Sequence, residues 1–170
     1  MLAGGFLILI IMKIGKNTLA SLYYTLQDAT TGQVIEQVHE DAPHEFLFGH
    51  ELMLPGFEEG LKGCLDGDQF EFIIPCAEAY GPVDPYAIFD LPIDTFEEEG
   101  KVDSSVVMVG NSFPMQDEMG NRHIGRIIKV MKESVTMDFN HPLAGKDLKF
   151  SGKVIKVREA SIEDIRKAES

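Results

Sequence analysis

The sequence predicts an α+β protein, an antiparallel sheet wrapped on one short helix, with a small, mainly β module set inside it. Three observations predict this class. Turn-forming clusters at Asp28 to Gly32, Asp41 to Pro43, Gly49-His50 and Asp66 to Asp68 separate short runs of alternating polarity, as in a small antiparallel sheet. Helical periodicity in the first half is confined to the stretch after Pro55-Gly56, which has room for about two turns. After Gly81 the texture changes to short strands broken by proline, acidic residues and methionine, and the first pattern resumes near Asn140.

An apolar run, MLAGGFLILII, opens the chain at residues 1–11. A membrane span needs about 20 residues, and the basic start of a secretory signal is missing. We read the run as a start-site extension with Met12 as the initiator; the alternative is an export signal or membrane anchor. From Thr18 to Gln27, Leu22, Tyr24 and Leu26 fall on one face of a strand, with Leu19, Ser21 and Tyr23 on the other. Gln33 to Gln37 resumes extended structure with Val34 and Glu36 on one face, and Glu45 to Phe48 forms a third short strand.

Leu54, Phe57 and Leu61 stand at i, i+3 and i+7, which gives the short helix one narrow apolar stripe. Glu58 and Glu59 suit the positive end of its dipole, and Gly63 can close it in a left-handed cap. Phe70, Phe72 and Ile74 then alternate with their neighbours, predicting a strand with one face against that helix. A loop follows and ends in Tyr80. Beyond the break at Pro82 to Pro85, Ser105 to Val109, His123 to Val130 and the alternating Val135, Met137 and Phe139 read as strands, around a turn at Asp117 to Asn121. Asn140 to Gly145 is a turn-rich hinge, and Leu148 and Phe150 open a long strand through Val157, bent or bulged near Gly152. Ser161 and Asp164 mark a capping box at the start of a short terminal helix.

With 170 residues and 44% apolar content the chain can bury a substantial core. A net charge of −13 repels phosphate backbones and anionic lipid, which excludes nucleic acid and membrane surfaces as partners. Cys64 and Cys76 have neither metal-ligand nor disulfide-framework spacing, and the histidines are scattered, so we expect no metal and no cofactor. Methionines 108, 115, 119, 131 and 137 cluster in the inserted module; each alone reads as core filling, and together they suit an adaptable binding surface.

The runs FLFGHELMLPGFEEGLKG (46–63), PCAEAYG (75–81) and NHPLAGKDLKF (140–150) resemble FKBP-type peptidyl-prolyl cis-trans isomerases of the SlyD-like branch, over about residues 12–160. In that branch an insert-in-flap chaperone domain interrupts the isomerase domain just after the tyrosine loop. The resemblance implies a discontinuous isomerase domain at 12–83 and 135–160, an insert-in-flap domain at 84–134, and a C-terminal helix or tail at 161–170. It implies a pocket built from Tyr24, Glu36, Phe46, Phe57, Tyr80 and Phe150, with Met53, Leu54 and Leu148 contacting the bound peptide. Phe57 is then the floor, Tyr24 and Phe150 line the walls, Tyr80 bonds the substrate carbonyl and the Leu54 N–H pairs with the peptide. Without the resemblance, core packing is the default reading for Phe46, Phe57 and Phe150. Glu36 on an apolar face requires a partner, for which Tyr24 is the candidate.

Isomerising an X-Pro bond means breaking amide resonance, a barrier of about 18–20 kcal/mol, between two isomers of similar energy. No nucleophile is required. A dry aromatic pocket favours the twisted, less polar amide over the planar one. The expected function is therefore prolyl isomerisation with chaperone activity on unfolded or partly folded proteins and proline-containing peptides, by a cytoplasmic monomer, with export left open by residues 1–11. The alternative is a non-catalytic holdase. Two departures from the family pattern bear on it: Glu36 stands where Asp is usual, and His44 where some members place an aromatic ring. The sequence holds no His- or Cys-rich run, so nickel handling is not carried over.

Overall fold

The longest buried alternation in the chain builds its first strand. In the computed structural model, which describes residues 11–170, Thr18–Asp28 (β1) buries Ala20, Leu22, Tyr24, Leu26 and Asp28 on one face, with the intervening residues from Ser21 on only half-buried. The readings placed on residues 1–10 lie outside the described residues. Along one edge β1 pairs antiparallel with Val34–Val38 (β2) in its second half and with His44–Leu47 (β3) in its first. Along its other edge runs the long Leu148–Glu159 (β9), which also pairs with Gln69–Ile74 (β4). The sheet order is β2-β1-β9-β4, with β3 also on β1.

The helix that packs on this sheet is Pro55–Leu61 (α1), seven residues with Pro55 in its first turn and Phe57 and Leu61 buried. So short a helix has little stability of its own, and packing on the sheet supplies it. Gly63 adopts φ +85° just past its end, and its N–H donates to the Ile14 carbonyl at 2.9 Å. The Ile14 N–H donates in turn to the Cys64 carbonyl, fixing the strand entry beside the helix exit.

The chain divides into two compact units, one comprising the described residues up to Gly81 with Gly145–Ser170, the other Pro82–Ala144. The second unit is a four-stranded antiparallel sheet built from Ile88–Pro92 (β5), Ser112–Gln116 (β6), Arg122–Val130 (β7) and Ser134–Asp138 (β8), in the order β5-β8-β7-β6. Val107, Ile127, Val135 and Met137 form its core, with Phe96, Phe113 and Met115 packed on it. Its return boundary lies ten residues beyond the one expected at residue 134, because β8 pairs with both β5 and β7. Ser105 to Val109, expected as a strand, is a run of turns: Asp103 accepts from the Ser105 N–H (2.9 Å) and hydroxyl (2.6 Å), and Val107 alone plugs the core. Of the five clustered methionines, Met137 is wholly buried while Met108 and Met119 are exposed.

The irregularity in β9 is real but displaced. Ser21 pairs with Lys156 and Leu22 with Val154, so Ile155 is the extra residue. Gly152 serves another purpose: a Cβ there would stand 2.1 Å from the Tyr23 carbonyl oxygen and 2.7 Å from Tyr24 Cα. Ser161 caps Ile162–Glu169 (α2) with a reciprocal capping box through Asp164, whose carboxylate also binds Arg158 at 2.8 Å. His50 lies between Glu169 (2.8 Å) and Asn17 (2.7 Å), joining α2 to the loop before α1.

Two outcomes follow from this fold. Gly152→Ala should destabilise the first unit by about 3 kcal/mol, the upper end for overpacking in a rigid sheet, as read from urea unfolding. In the β6–β7 turn, Asp117 accepts from His123 Nε2 and from the Met119 and Asn121 N–H groups at 2.9 Å each. The His123 bond first, then those from the Asn121 backbone, hold its carboxyl down at about 2. A depressed carboxyl stabilises above its unfolded value of about 4 and loses that stabilisation as pH falls toward its folded value. The protection factors of the Met119 and Asn121 amides, taken against the intrinsic exchange rate at each pH, should therefore fall between about pH 4 and pH 2 in the native protein, and be low and constant over that window in Asp117→Asn.

Candidate active site

Phe57 is carried inward by the apolar stripe of α1 and meets five other aromatic rings. Its centroid lies 5.1 Å from Phe150, 5.2 Å from Phe46, 6.2 Å from Phe72, 6.3 Å from Phe48 and 6.4 Å from Tyr24. Four of these contacts are edge-to-face, as ring quadrupoles prefer; Phe48 alone is stacked, at 11°. The strands explain the convergence. Even-numbered residues of β1 face inward and bring Tyr24; β9 brings Phe150 within 5.7 Å of it; β3 brings Phe46.

Tyr24 is buried, and its hydroxyl donates to Glu36 Oε2 at 3.3 Å. Glu36 is not opposite Tyr24 in the ladder: Tyr24 pairs with Val38 and Leu26 with Glu36, so the longer side chain spans the offset. Burial, then the Glu36 charge and the hydrogen bond to it, push the Tyr24 phenol well above its ordinary value. It stays a protonated donor throughout the physiological range. His44 is exposed and sets its ring 6.3 Å from Tyr24 and 6.2 Å from Phe46, so it continues the aromatic wall outward with a polar edge.

Met53 and Leu54 are half-buried at the head of α1, where the Leu54 carbonyl accepts from the Phe57 and Glu58 N–H groups. Tyr80, 40% exposed, follows the short 3₁₀ turn Cys76–Glu78. That loop is tied down by Gly81 N–H to the Cys76 carbonyl (2.7 Å) and by Cys76 N–H to Asp147 Oδ1 (2.8 Å). Leu148 differs from its expected place. It is 1% exposed, between Asp28 and Ile74 in the ladders, and packs in the core without presenting surface to a peptide.

The rings of Phe48 and Phe72 were not among the expected site residues, nor was Asp147. Phe72 was legible as a helix-facing position by its alternation with Phe70 and Ile74, and Phe48 by its spacing from Phe46. Asp147 carries no local signal, since it acts on a backbone group 71 residues away.

In the second unit, an open cavity of about 1240 Å³ has Phe96, Val107, Phe113 and Met115 on its apolar side and Glu97 to Glu99 among its charged residues. Among the described residues no three His, Cys, Asp or Glu side chains are placed to hold a metal ion, and no helix is long and apolar enough to cross a membrane.

Comparison with known proteins identifies the family. The family model of FKBP-type peptidyl-prolyl cis-trans isomerases matches residues 12–88. The chain is 35% identical to the FKBP-type peptidyl-prolyl cis-trans isomerase SlyD of Vibrio cholerae, over 91% of this chain and 73% of that protein. It is 34% identical to SlyD of Pasteurella multocida and 30% identical to SlyD of Escherichia coli K12, again over 91% of this chain, and over 74% and 75% of those proteins. An α+β fold whose short helix gathers aromatic rings from four strands is thus matched in sequence by this family: the chain belongs to the FKBP-type peptidyl-prolyl cis-trans isomerases.

Proposed function

We propose that the aromatic cluster centred on Phe57 is the isomerase pocket and that the second unit is a chaperone module that captures unfolded chains. The convergence of Tyr24, Phe46 and Phe150 on Phe57 is the observation that carries the first part. The family's substrates are proline-containing peptides and proteins. Phe57 forms the floor under the proline ring, with Tyr24, Phe46 and Phe150 as walls and Met53 and Leu54 along the peptide backbone. In this apolar enclosure the planar amide loses the hydration that favours it, and the twisted amide, with its smaller dipole, is held relatively better. The Tyr80 hydroxyl donates to the substrate carbonyl, and the Tyr24–Glu36 pair keeps a charged carboxylate anchored at the rim. None of these groups needs to exchange a proton with substrate.

For the second unit, the support is exposed apolar surface: Val106, which lines the cavity, is 44% exposed, and Met108 and Val109, outside its lining, are 51% and 64% exposed. Exposed methionine and valine on one small module adapt to many extended segments. We infer a monomer working in the cytoplasm, a compartment in which the unpaired thiols of Cys64 and Cys76 would stay reduced.

The decisive measurement is proline-limited refolding of a model substrate. Acceleration of the slow phase supports the enzyme reading; delayed aggregation with an unchanged slow phase would replace it by a non-catalytic holdase. Tyr80→Phe should lower kcat/KM about five- to tenfold, the worth of one neutral hydrogen bond. Replacing residues 82–144 by a short loop should leave kcat/KM on a proline tetrapeptide within about twofold. Catalysed refolding of an unfolded protein should fall at least about 100-fold, because the captured chain no longer raises the local proline concentration. Equal losses on both substrates would refute that division of labour.

A further inference from the structure

Phe72 holds a place in the proposed pocket that the peptide contacts above do not use. It lies on the helix-facing side of β4, half-buried, with Phe70 and Ile74. Opposite it in α1 stands Gly60, inside a helix where glycine is the least favourable residue after proline. A Cβ at Gly60 would lie 2.7 Å from Phe72 Cγ and Cδ1 and 2.8 Å from its Cδ2, so the flat of the ring rests directly on the helix backbone. Pressed there, the ring stacks on Phe150 at 5.5 Å and 23° and meets the edge of Phe57 at 6.2 Å and 67°. Phe70 backs it at 5.8 Å. Phe57 and Phe150, set edge-to-face at 5.1 Å, are therefore both braced by one further ring.

We propose that Phe72, admitted by Gly60, is a positioning residue for prolyl isomerisation: it fixes the angle between Phe57 and Phe150, the floor and one wall of the pocket. The inference rests on the reading of the aromatic cluster as the isomerase site. A glycine in so short a helix weakens it locally, and the space it leaves is filled by a side chain whose contacts run to the two proposed pocket rings. An aliphatic residue at position 72 would fill volume but offer no flat face to Phe150, leaving the Phe57–Phe150 angle to be set by Tyr24 on the other side alone.

The pair can be tested by a double-mutant cycle of Gly60→Ala and Phe72→Val, with kcat, KM and urea stability measured on each variant using a proline tetrapeptide. Gly60→Ala should lose both stability and activity, since the new methyl displaces the ring. Phe72→Val should lower kcat about tenfold with KM changed less than about twofold. In the double variant the methyl introduced at position 60 occupies vacated space, so stability should return toward wild type while kcat stays low. Phe72→Leu, which keeps most of the buried volume, gives the same kcat loss in a securely folded protein. Recovery of kcat together with stability in the double variant would reduce Phe72 to packing and overturn the proposal, as would unchanged kcat in Phe72→Leu. Tyr80→Phe and Phe57→Leu separate this failure from the larger one. If both lower kcat/KM while Phe72→Leu does not, only the positioning role falls; if neither does, the pocket itself is misplaced and the inference falls with it.

Discussion

The edge-to-face contact between Phe57 and Phe150 is the constraint on which the first unit depends. Phe57 belongs to a seven-residue helix that cannot persist alone, and Phe150 to the strand that pairs on both sides. Joining them docks the helix on the sheet and closes the aromatic cluster in one step. Core and candidate pocket therefore share the rings of Tyr24, Phe57 and Phe150. A residue such as Phe57, 4% exposed, contributes burial in the free protein and, in the proposed pocket, the floor under a bound proline without changing its neighbours. This overlap also limits variation: the rings cannot be exchanged for aliphatic residues without altering the packing that holds the helix in place.

Around that contact the sheet supplies register. β9 pairs with β1 over its whole length and with β4 over half of it, so the position of Phe150 is set from two sides. The close fit of Gly152 against the Tyr23 carbonyl and Tyr24 Cα brings the Tyr24 ring to Phe150, while the extra residue Ile155 absorbs the twist further along. The Glu36 side chain compensates for a ladder in which it is not opposite its partner.

What the sequence made legible was local and periodic. The period-2 runs placed β1, β4 and the inward face of β9, and the i, i+3, i+7 stripe placed α1, although the helix starts at Pro55, two residues before the expected start. The sequence predicts the Tyr24–Glu36 bond for a reason the structure does not bear out: Val34 and Glu36 are both exposed, so the carboxylate does not sit on a buried apolar face, and it is the buried Tyr24 hydroxyl that gains a partner. What escaped was set by partners distant in sequence. β8 has the same alternation whichever sheet it joins, and only its pairing with β5 and β7 assigns it to the second unit. β6 was hidden by Pro114, tolerated because β6 is an edge strand. Ser105 to Val109 has strand composition but lies beside Asp103, whose carboxylate turns the chain by accepting from Ser105. Leu148 shares the inward face of Phe150, and its apolar character alone could not tell a pocket wall from a wholly buried core position.

The chain leaves the first unit at Gly81 and re-enters it at Gly145, and the Gly145 N–H donates to the Gly81 carbonyl at 2.7 Å. On the far side of that exit, the Asn140 side chain accepts from the Asp84 N–H and donates to the Asp84 carbonyl, at 2.9 and 3.0 Å. Each unit thus seals its own ends, and the closure entropy of what lies between grows only by about 0.6 kcal/mol for each doubling of its length. The junction is a socket: recombination could swap the module for another whose termini meet a hydrogen bond apart, and the register that sets the ring geometry of the first unit would be left untouched.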